Sequence, residues 1–384
     1  MKIIIVAMKL DQGGGGSNRS LELLADNLQD DHNVELVTLR NDLNEIHDPP
    51  VPVQTFDSKS SKDTFKNCWK ALKENDNSAD IFHIFTPDLV PVGGLYRRRG
   101  DVPVVGRLNT YGMFCTNFNK MEGECYRQCN LRKKYYHDDN SGFRRTPRYL
   151  YKEISPFLAS NVDRLFAISP SVKNIYKSIG ITAPIKIVPN FYDPKFSGNT
   201  SGQVHNLSIT YVGRLLEIKG VQNLLKGYSD ARIPNEFKLQ IVGDGPNSEK
   251  LKQIAIDEGI QENVLFEGWV PYNDLPNIFA NSSLFVHPGI FPEPFGRTIL
   301  EALQHSLPLV VSDIGGPPWV AKNAALTYSP HDISDLRTTL EEAVKEPTRS
   351  ILAEKSKERA QRFSPDRVIG ELVDEYRSVV KNQT

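Results

Sequence analysis

Two carboxylates stand eight residues apart in Pro288-Gly-Ile-Phe-Pro-Glu293-Pro-Phe-Gly-Arg-Thr-Ile-Leu-Glu301-Ala-Leu, with Phe295 and Gly296 between them. The apolar run at 283–287 reads as a buried strand, 288–294 as turn material and 298–305 as an amphipathic helix. Glu293 then lies in the turn and Glu301 about one turn into the helix. In a parallel α/β sheet, ligands collect where strands hand over to helices, because helix amino termini point unpaired N–H groups and a partial positive charge into the crevice. With Gly296, Arg297 and Thr298 opening the helix, a phosphate fits there. Glu301 is then placed to hydrogen-bond a hydroxyl beside the phosphate, and Glu293 to reach a second polyol. The structural alternative makes Glu293 a helix-capping acid and Glu301 a solvated helix residue, the commoner meaning of either one alone.

Upstream, Val212-Gly213-Arg214 and Lys219-Gly220 put two cations five residues apart in one loop after a strand. The pair can converge on a single dianion, Arg214 through its fork and Lys219 as a point charge, or be two solvated surface cations. Gly243-Asp244-Gly245 is a second strand exit whose glycines allow close backbone approach, although Gly-Asp-Gly is also an ordinary turn. The glycines at 13–16 sit where a dinucleotide-binding protein carries its phosphate turn. The Gly-x-Gly-x-x-Gly spacing is absent, since Ser17-Asn18-Arg19 follow, which counts against an oxidoreductase. No Asp-x-Asp occurs, so no obvious carboxylate pair holds a metal-bound nucleotide. A departing diphosphate would be neutralised by side-chain cations and a helix terminus, and neither metal nor cofactor is expected.

The elements that position these residues fall into two series. At 384 residues and 43.2 kDa the chain is too long for one typical core. Strands are expected at 2–7, 34–39, 81–85, 102–108, 164–168 and 185–188, with a helix at 21–28, and the pattern breaks into a polar, basic and aromatic excursion between 108 and 149. Residues 191–206, rich in Pro, Gly, Ser, Asn and Thr, read as a linker. A second strand–helix series follows, with strands at 207–211, 238–242, 264–267, 284–286 and 309–312. Helices are expected near 221–229, 248–258, 272–279, 298–305, 334–344 and 351–363. The domains are therefore drawn at 1–192, a linker at 193–206, 207–364, and a terminal helix at 365–384.

Net charge is −1 and the pI about 6.7, so there is no whole-chain electrostatic case for nucleic acid. Locally, residues 97–152 carry thirteen Lys or Arg against five Asp or Glu, interleaved with aromatics. That stretch is a candidate for an anionic membrane surface or anionic acceptor, or a solvated basic loop. The six apolar residues before Lys9 are too short for a signal-peptide core and no run reaches a membrane span, so a cytoplasmic protein, peripheral on the membrane face, is expected. The spacing of Cys115, Cys125 and Cys129 does not match a zinc ribbon, although His137 nearby could supply a fourth ligand, and a structural or incidental role is preferred.

With these motifs in hand, the second half resembles the donor domain of a retaining glycosyltransferase of the GT-B fold, family-4 type. The resemblance runs through Tyr211-Val-Gly-Arg214 with Lys219-Gly220, Val242-Gly-Asp-Gly-Pro246, Phe266-Glu-Gly268-Trp-Val270, the Glu293 to Glu301 segment and Gly315-Gly316. The first half matches more loosely, through the glycines at 13–16, His83, Ser169 and Val188-Pro189-Asn190. The resemblance implies two Rossmann-like domains facing across a cleft, with a terminal helix crossing back to the first. Arg214 and Lys219 are then similar to the pair that binds the donor diphosphate, Glu301 to the acid that holds the ribose, and Glu293 to the one that touches the transferred sugar. The backbone from Phe295 through Gly296 and Arg297 to Thr298, with Gly243, would line the phosphates and sugar, and Gly268 to Val270 the base. Gly15, Gly16, Asn109 and Tyr111 would lie on the acceptor side.

The implied reaction is metal-independent sugar transfer with retention, from a nucleotide-diphosphate sugar to a glycan or lipid-linked acceptor. Two positions depart from the pattern. Asn109 stands where many relatives carry a histidine, with His83 in an apolar strand an improbable substitute. Trp319 stands where a Glu usually follows the glycine pair, either stacking on a sugar or base or simply packing. The alternatives are an epimerase or phosphorylase of the same fold, or a non-catalytic sugar-nucleotide-binding subunit.

Overall fold

The structure, a computed structural model, describes residues 1–10, 15–40, 49–115, 146–198 and 207–382. The chain divides into two compact units, Met1–Asn190 with Asp366–Thr384, and Phe191–Pro365.

The first unit is built on seven strands, β1 (Lys2–Ala7), β2 (Asn33–Thr38), β3 (Val53–Thr55), β4 (Ile81–Ile84), β5 (Val104–Leu108), β6 (Arg164–Ala167) and β7 (Ile185–Ile187). They form one parallel sheet in the order β3-β2-β1-β4-β5-β6-β7. The central strands are apolar without alternation, as in Ile3-Ile4-Ile5-Val6, because helices cover both faces of a parallel sheet. Its helices are α1 (Gly16–Leu28), α2 (Ser61–Glu74), α3 (Val90–Arg97), α4 (Thr146–Ala159) and α5 (Pro170–Ser178).

The second unit carries β8 (Leu207–Val212), β9 (Phe237–Val242), β10 (Val264–Gly268), β11 (Leu284–His287), β12 (Leu309–Ser312) and β13 (Ala325–Tyr328), parallel in the order β10-β9-β8-β11-β12-β13. Its helices are α6 (Val221–Asp230), α7 (Ser248–Asp257), α8 (Leu275–Ala280), α9 (Arg297–Gln304), α10 (Pro317–Ala321), α11 (Ile333–Ala343) and α12 (Thr348–Ala360). Ile209, Tyr211, Leu239, Ile241, Leu284 and Val286 from the strands meet Leu224, Leu251, Leu336 and Leu340 from the helices in its core. Strand order reverses between β8 and β11, the position where an open α/β sheet leaves a crevice outside its carboxyl ends.

The last helix, α13 (Pro365–Lys381), returns to the first unit. Tyr376 Oη lies 2.6 Å from His83 Nδ1, and Glu375 pairs with Arg164 and, at 3.3 Å, with Lys186. Burial, then the Arg107 charge, pushes the His83 imidazole down to about 3, so the ring is a neutral core residue.

Several elements went unread in the sequence. The edge strands β3 and β13 are short and half-exposed, and α2 to α5 fall where no helix was expected. The stretch read as a linker is corrected over 191–198: Phe196 is 2% exposed and its ring lies 5.0 Å from Tyr272, 5.7 Å from Phe279 and 5.5 Å from His305. Residues 199–206 lie outside the described residues. Within the basic excursion, Arg97 is tied to Asp163 at 2.7 Å and the buried Lys152 to Asp88 and the Gly112 carbonyl. These two cations serve the fold; 116–145, with Cys125, Cys129 and His137, lie outside the described residues. Among the described residues no helix is long and apolar enough to cross a membrane.

Candidate functional site

The loops leaving β8 and β11 are joined by backbone. Ile290 N donates to Ile218 O at 2.9 Å. Gly220 is left-handed (φ +71°), and a Cβ there would lie 1.8 Å from the Pro288 carbonyl, so the position accepts only glycine. This join brings Lys219 Nζ within 2.7 Å of Glu293 Oε2, with the Phe291 ring centroid 5.6 Å from the ammonium. His287, the last residue of β11, places Nε2 3.2 Å from the same oxygen. Burial by itself would raise the Glu293 pKa, but Lys219 and His287 together outweigh it and hold the carboxyl well below the usual range, as an anion.

The loop after β12 backs the Glu293 turn from behind. Gly316 N donates to Glu293 O at 2.8 Å, and a Cβ on Gly315 (φ +77°) would meet that carbonyl at 2.6 Å. Ser312 Oγ donates to Gly289 O at 2.6 Å. Gly296, left-handed at φ +86°, caps α9 with no side-chain cap, so Glu293 is not the capping acid. Glu301 is 5% exposed and pairs with Arg297, whose Nε is 3.5 Å from Oε1, so it is not a solvated residue either. Tyr272 joins this group: burial, then the Glu301 charge, raises its phenol pKa.

Arg214 lies on the Lys219 loop, exposed, in no ion pair among the described residues; its carbonyl accepts from the buried Tyr211 hydroxyl at 3.0 Å. Gly243 N donates to Gly268 O at 2.7 Å, and a Cβ on Gly243 would meet Gly213 O at 2.0 Å, so the exits of β8, β9 and β10 touch through backbone. Val270 and Thr298 are half-buried. Phe295 offers backbone alone, because its 3%-exposed ring packs on Trp319 at 6.4 Å and Phe363 at 5.9 Å. Trp319 is half-buried and packs edge-on against Phe295 and Phe363, with the Arg359 guanidinium 5.5 Å over its ring.

In the first unit Gly15 caps α1 and Gly16 opens it, both exposed. Asn109, just past β5, donates from Nδ2 to Phe85 O at 3.3 Å and Ser17 Oγ at 3.5 Å, leaving a buried Oδ1 without a partner. Tyr111 is corrected: fully buried against Phe114, with its hydroxyl-bearing ring in the core, it cannot line an acceptor site. Cys115 is half-buried, and among the described residues no group of three or more His, Cys, Asp or Glu could hold a metal.

His287 is the residue the sequence reading missed. A polar residue closing the run Leu284-Phe-Val-His287 directly before the turn was the available signal.

The sequence matches the family model for glycosyl transferases group 1 over residues 203–363 and that for glycosyltransferase family 4 over 14–196. It is 32% identical over 108 residues to an uncharacterized glycosyltransferase of Methanocaldococcus jannaschii, covering 28% of this chain and 27% of that protein. It is 25% identical over 172 residues to O-antigen chain mannosyltransferase B of Escherichia coli, covering 44% and 45%. The matches thus span less than half the length of these relatives. The crystal structure of Anabaena HepE in complex with UDP and glucose superposes with a TM-score of 0.75 at 18% identity over 98% of this chain and 100% of that one. Two family models that between them take in most of the chain, on a fold of two parallel sheets, place this protein in the group 1 glycosyltransferases of the GT-B fold.

Proposed function

We propose that the protein transfers a sugar from a nucleoside-diphosphate sugar to a glycan or lipid-linked acceptor, with retention at the anomeric carbon and without a metal. The observation that carries this reading is the join of the β8 and β11 exits, which sets Lys219 against Glu293 at the switch point of the second sheet. Arg214, Lys219 and the amino terminus of α9 neutralise the diphosphate, and Glu301 accepts from a ribose hydroxyl. Glu293, kept ionised, accepts from hydroxyls of the sugar. In the transfer step the bond from the anomeric carbon to the phosphate oxygen breaks and the acceptor oxygen bonds to that carbon on the same face. The departing phosphate takes the acceptor's proton. Rate then derives from positioning and charge stabilisation.

Gly15, Gly16 and Asn109 are proposed to meet the acceptor. The bound HepE complex holds UDP and glucose, which makes uridine sugars the first donors to try. A lipid-linked acceptor is favoured by the outer face of α4, where Leu150, Ile154 and Phe157 are 50%, 52% and 67% exposed at helical spacing. Indifference to anionic liposomes at low salt would remove that support.

The test is a thermal-shift panel of nucleoside diphosphates and their sugars, followed by transfer assays on the protein and its Lys219→Ala and Glu301→Ala variants. Transfer should vanish in both folded variants. Full activity in either refutes the assigned roles, and turnover of donor in the absence of acceptor would favour an epimerase.

A further inference from the structure

Resting on that reading, we infer that His287 is a positioning residue that, with Lys219, locks one oxygen of Glu293 and leaves the other to read the transferred sugar. The geometry is a clamp of two donors on a single atom. Lys219 Nζ at 2.7 Å and His287 Nε2 at 3.2 Å both meet Oε2, while Oε1 has no partner among the described residues. The two donors come from different elements, the loop after β8 and the last residue of β11, so the carboxylate cannot rotate without giving up one of them. The imidazole is itself held. Its side chain is 5% exposed, and the backbone of Gly289 and Gly296 flanks the ring, with ideal Cβ positions 3.4 Å from Cε1 and 3.5 Å from Nε2.

The tautomer follows from the partner. A carboxylate held ionised only accepts, so Nε2 carries the proton. Nδ1 is buried without a partner, so nothing else among the described residues competes for the ring's orientation.

Two consequences bear on specificity. Oε1 accepts and does not donate, so the group it meets must bring a hydrogen: a hydroxyl, an amide N–H or an ammonium. A uronic-acid carboxylate or a phosphorylated sugar at that contact would put two anions together. The clamp therefore selects a sugar that presents a hydrogen-bond donor and no negative charge at that contact. Removing His287 should release the sugar contact and spare the grip on the nucleotide, which belongs to Arg214, Lys219 and Glu301.

The experiment uses the full chain with His287→Leu and His287→Gln, since the glutamine amide can supply an N–H where Nε2 stood. Calorimetric titrations with UDP, UDP-glucose, UDP-glucuronic acid, GDP and GDP-mannose are run alongside transfer kinetics on the preferred donor. In the parent, the sugar nucleotide should bind more tightly than its nucleoside diphosphate, and UDP-glucuronic acid more weakly than UDP-glucose. In His287→Leu that added sugar affinity and kcat should fall about tenfold or more, the worth of one charged hydrogen bond, while nucleoside diphosphate binding stays within twofold. His287→Gln should recover most of the loss. Equal loss of diphosphate and sugar-diphosphate binding in a folded His287→Leu protein, or no change in either, overturns the positioning role. A parent that binds none of the five ligands overturns instead the donor reading beneath it.

Discussion

Lys219 and Glu293 are 74 residues apart in the chain and 2.7 Å apart in the structure, the contact formed by loops leaving two neighbouring strands at the centre of the second sheet. Both side chains are largely enclosed, at 21% and 17% exposure. Removing one partner therefore leaves the other short of compensation. Lys219→Met should lose about 1–3 kcal/mol, less than a fully buried pair would because solvent still reaches the site. Adding Glu293→Gln should return much of that stability while transfer stays abolished. Urea unfolding of the single and double variants checks this, and additive losses would mean the pair is not coupled.

Acid should destabilise the protein in two stages. His83 is held down to about 3 by burial and the Arg107 charge, against an ordinary value of 6.5. Between these values the unfolded chain binds a proton the folded one refuses, so stability falls as pH drops from about 6.5, by up to about 1.4 kcal/mol per unit. Glu293 has the opposite charge but the same direction of loss. Its carboxyl is held below the usual range, so its contribution is present above about pH 4.3 and lost as pH falls below it. His83→Asn should flatten the upper stage and Glu293→Gln the lower one in unfolding curves collected from pH 7 to 3. Parallel curves for all three proteins would contradict both assignments.

Gly220 and Gly259 separate backbone strain from crowding. Both are left-handed, at φ +71° and +69°, but a methyl on Gly220 meets the Pro288 carbonyl while one on Gly259 meets nothing within 4 Å. Gly259→Ala should cost about 1 kcal/mol and spare activity, whereas Gly220→Ala should cost about 2 kcal/mol or more and abolish transfer by parting the two loops. Similar melting temperatures for the two variants would show that the loop join bears no load.

Glu301→Gln keeps the side-chain volume and removes the charge that Arg297 faces. The folded variant should lose most of the melting-temperature rise that UDP gives the parent, since an amide replaces the proposed ribose acceptor. An undiminished rise at matched UDP concentration would place the ribose elsewhere.

The legible part of this protein was local. Runs such as Ile3-Ile4-Ile5 and Leu309-Val-Val announced buried strands because a parallel sheet hides both faces, and the loop positions of Glu293, Lys219 and Gly296 followed from where those runs stop. Edge strands β3 and β13 escaped because a half-exposed strand of three or four residues carries no such run. Tyr111 was misread for the same reason in reverse: an aromatic in a polar stretch suggests a ligand face, yet it is wholly in the core.

By itself, the sequence determined the two strand–helix series and the placement of chemistry-bearing residues at strand exits, since hydrophobic period and glycine position are properties of neighbours in the chain. Only the tertiary structure decided that Lys219 pairs with Glu293, that His287 closes on the same oxygen, and that Phe295 and Trp319 pack on each other. The physical reason is strand order: β8 and β11 lie side by side although β9 and β10 intervene in the chain, and contacts set by a crossover leave no trace in local pattern.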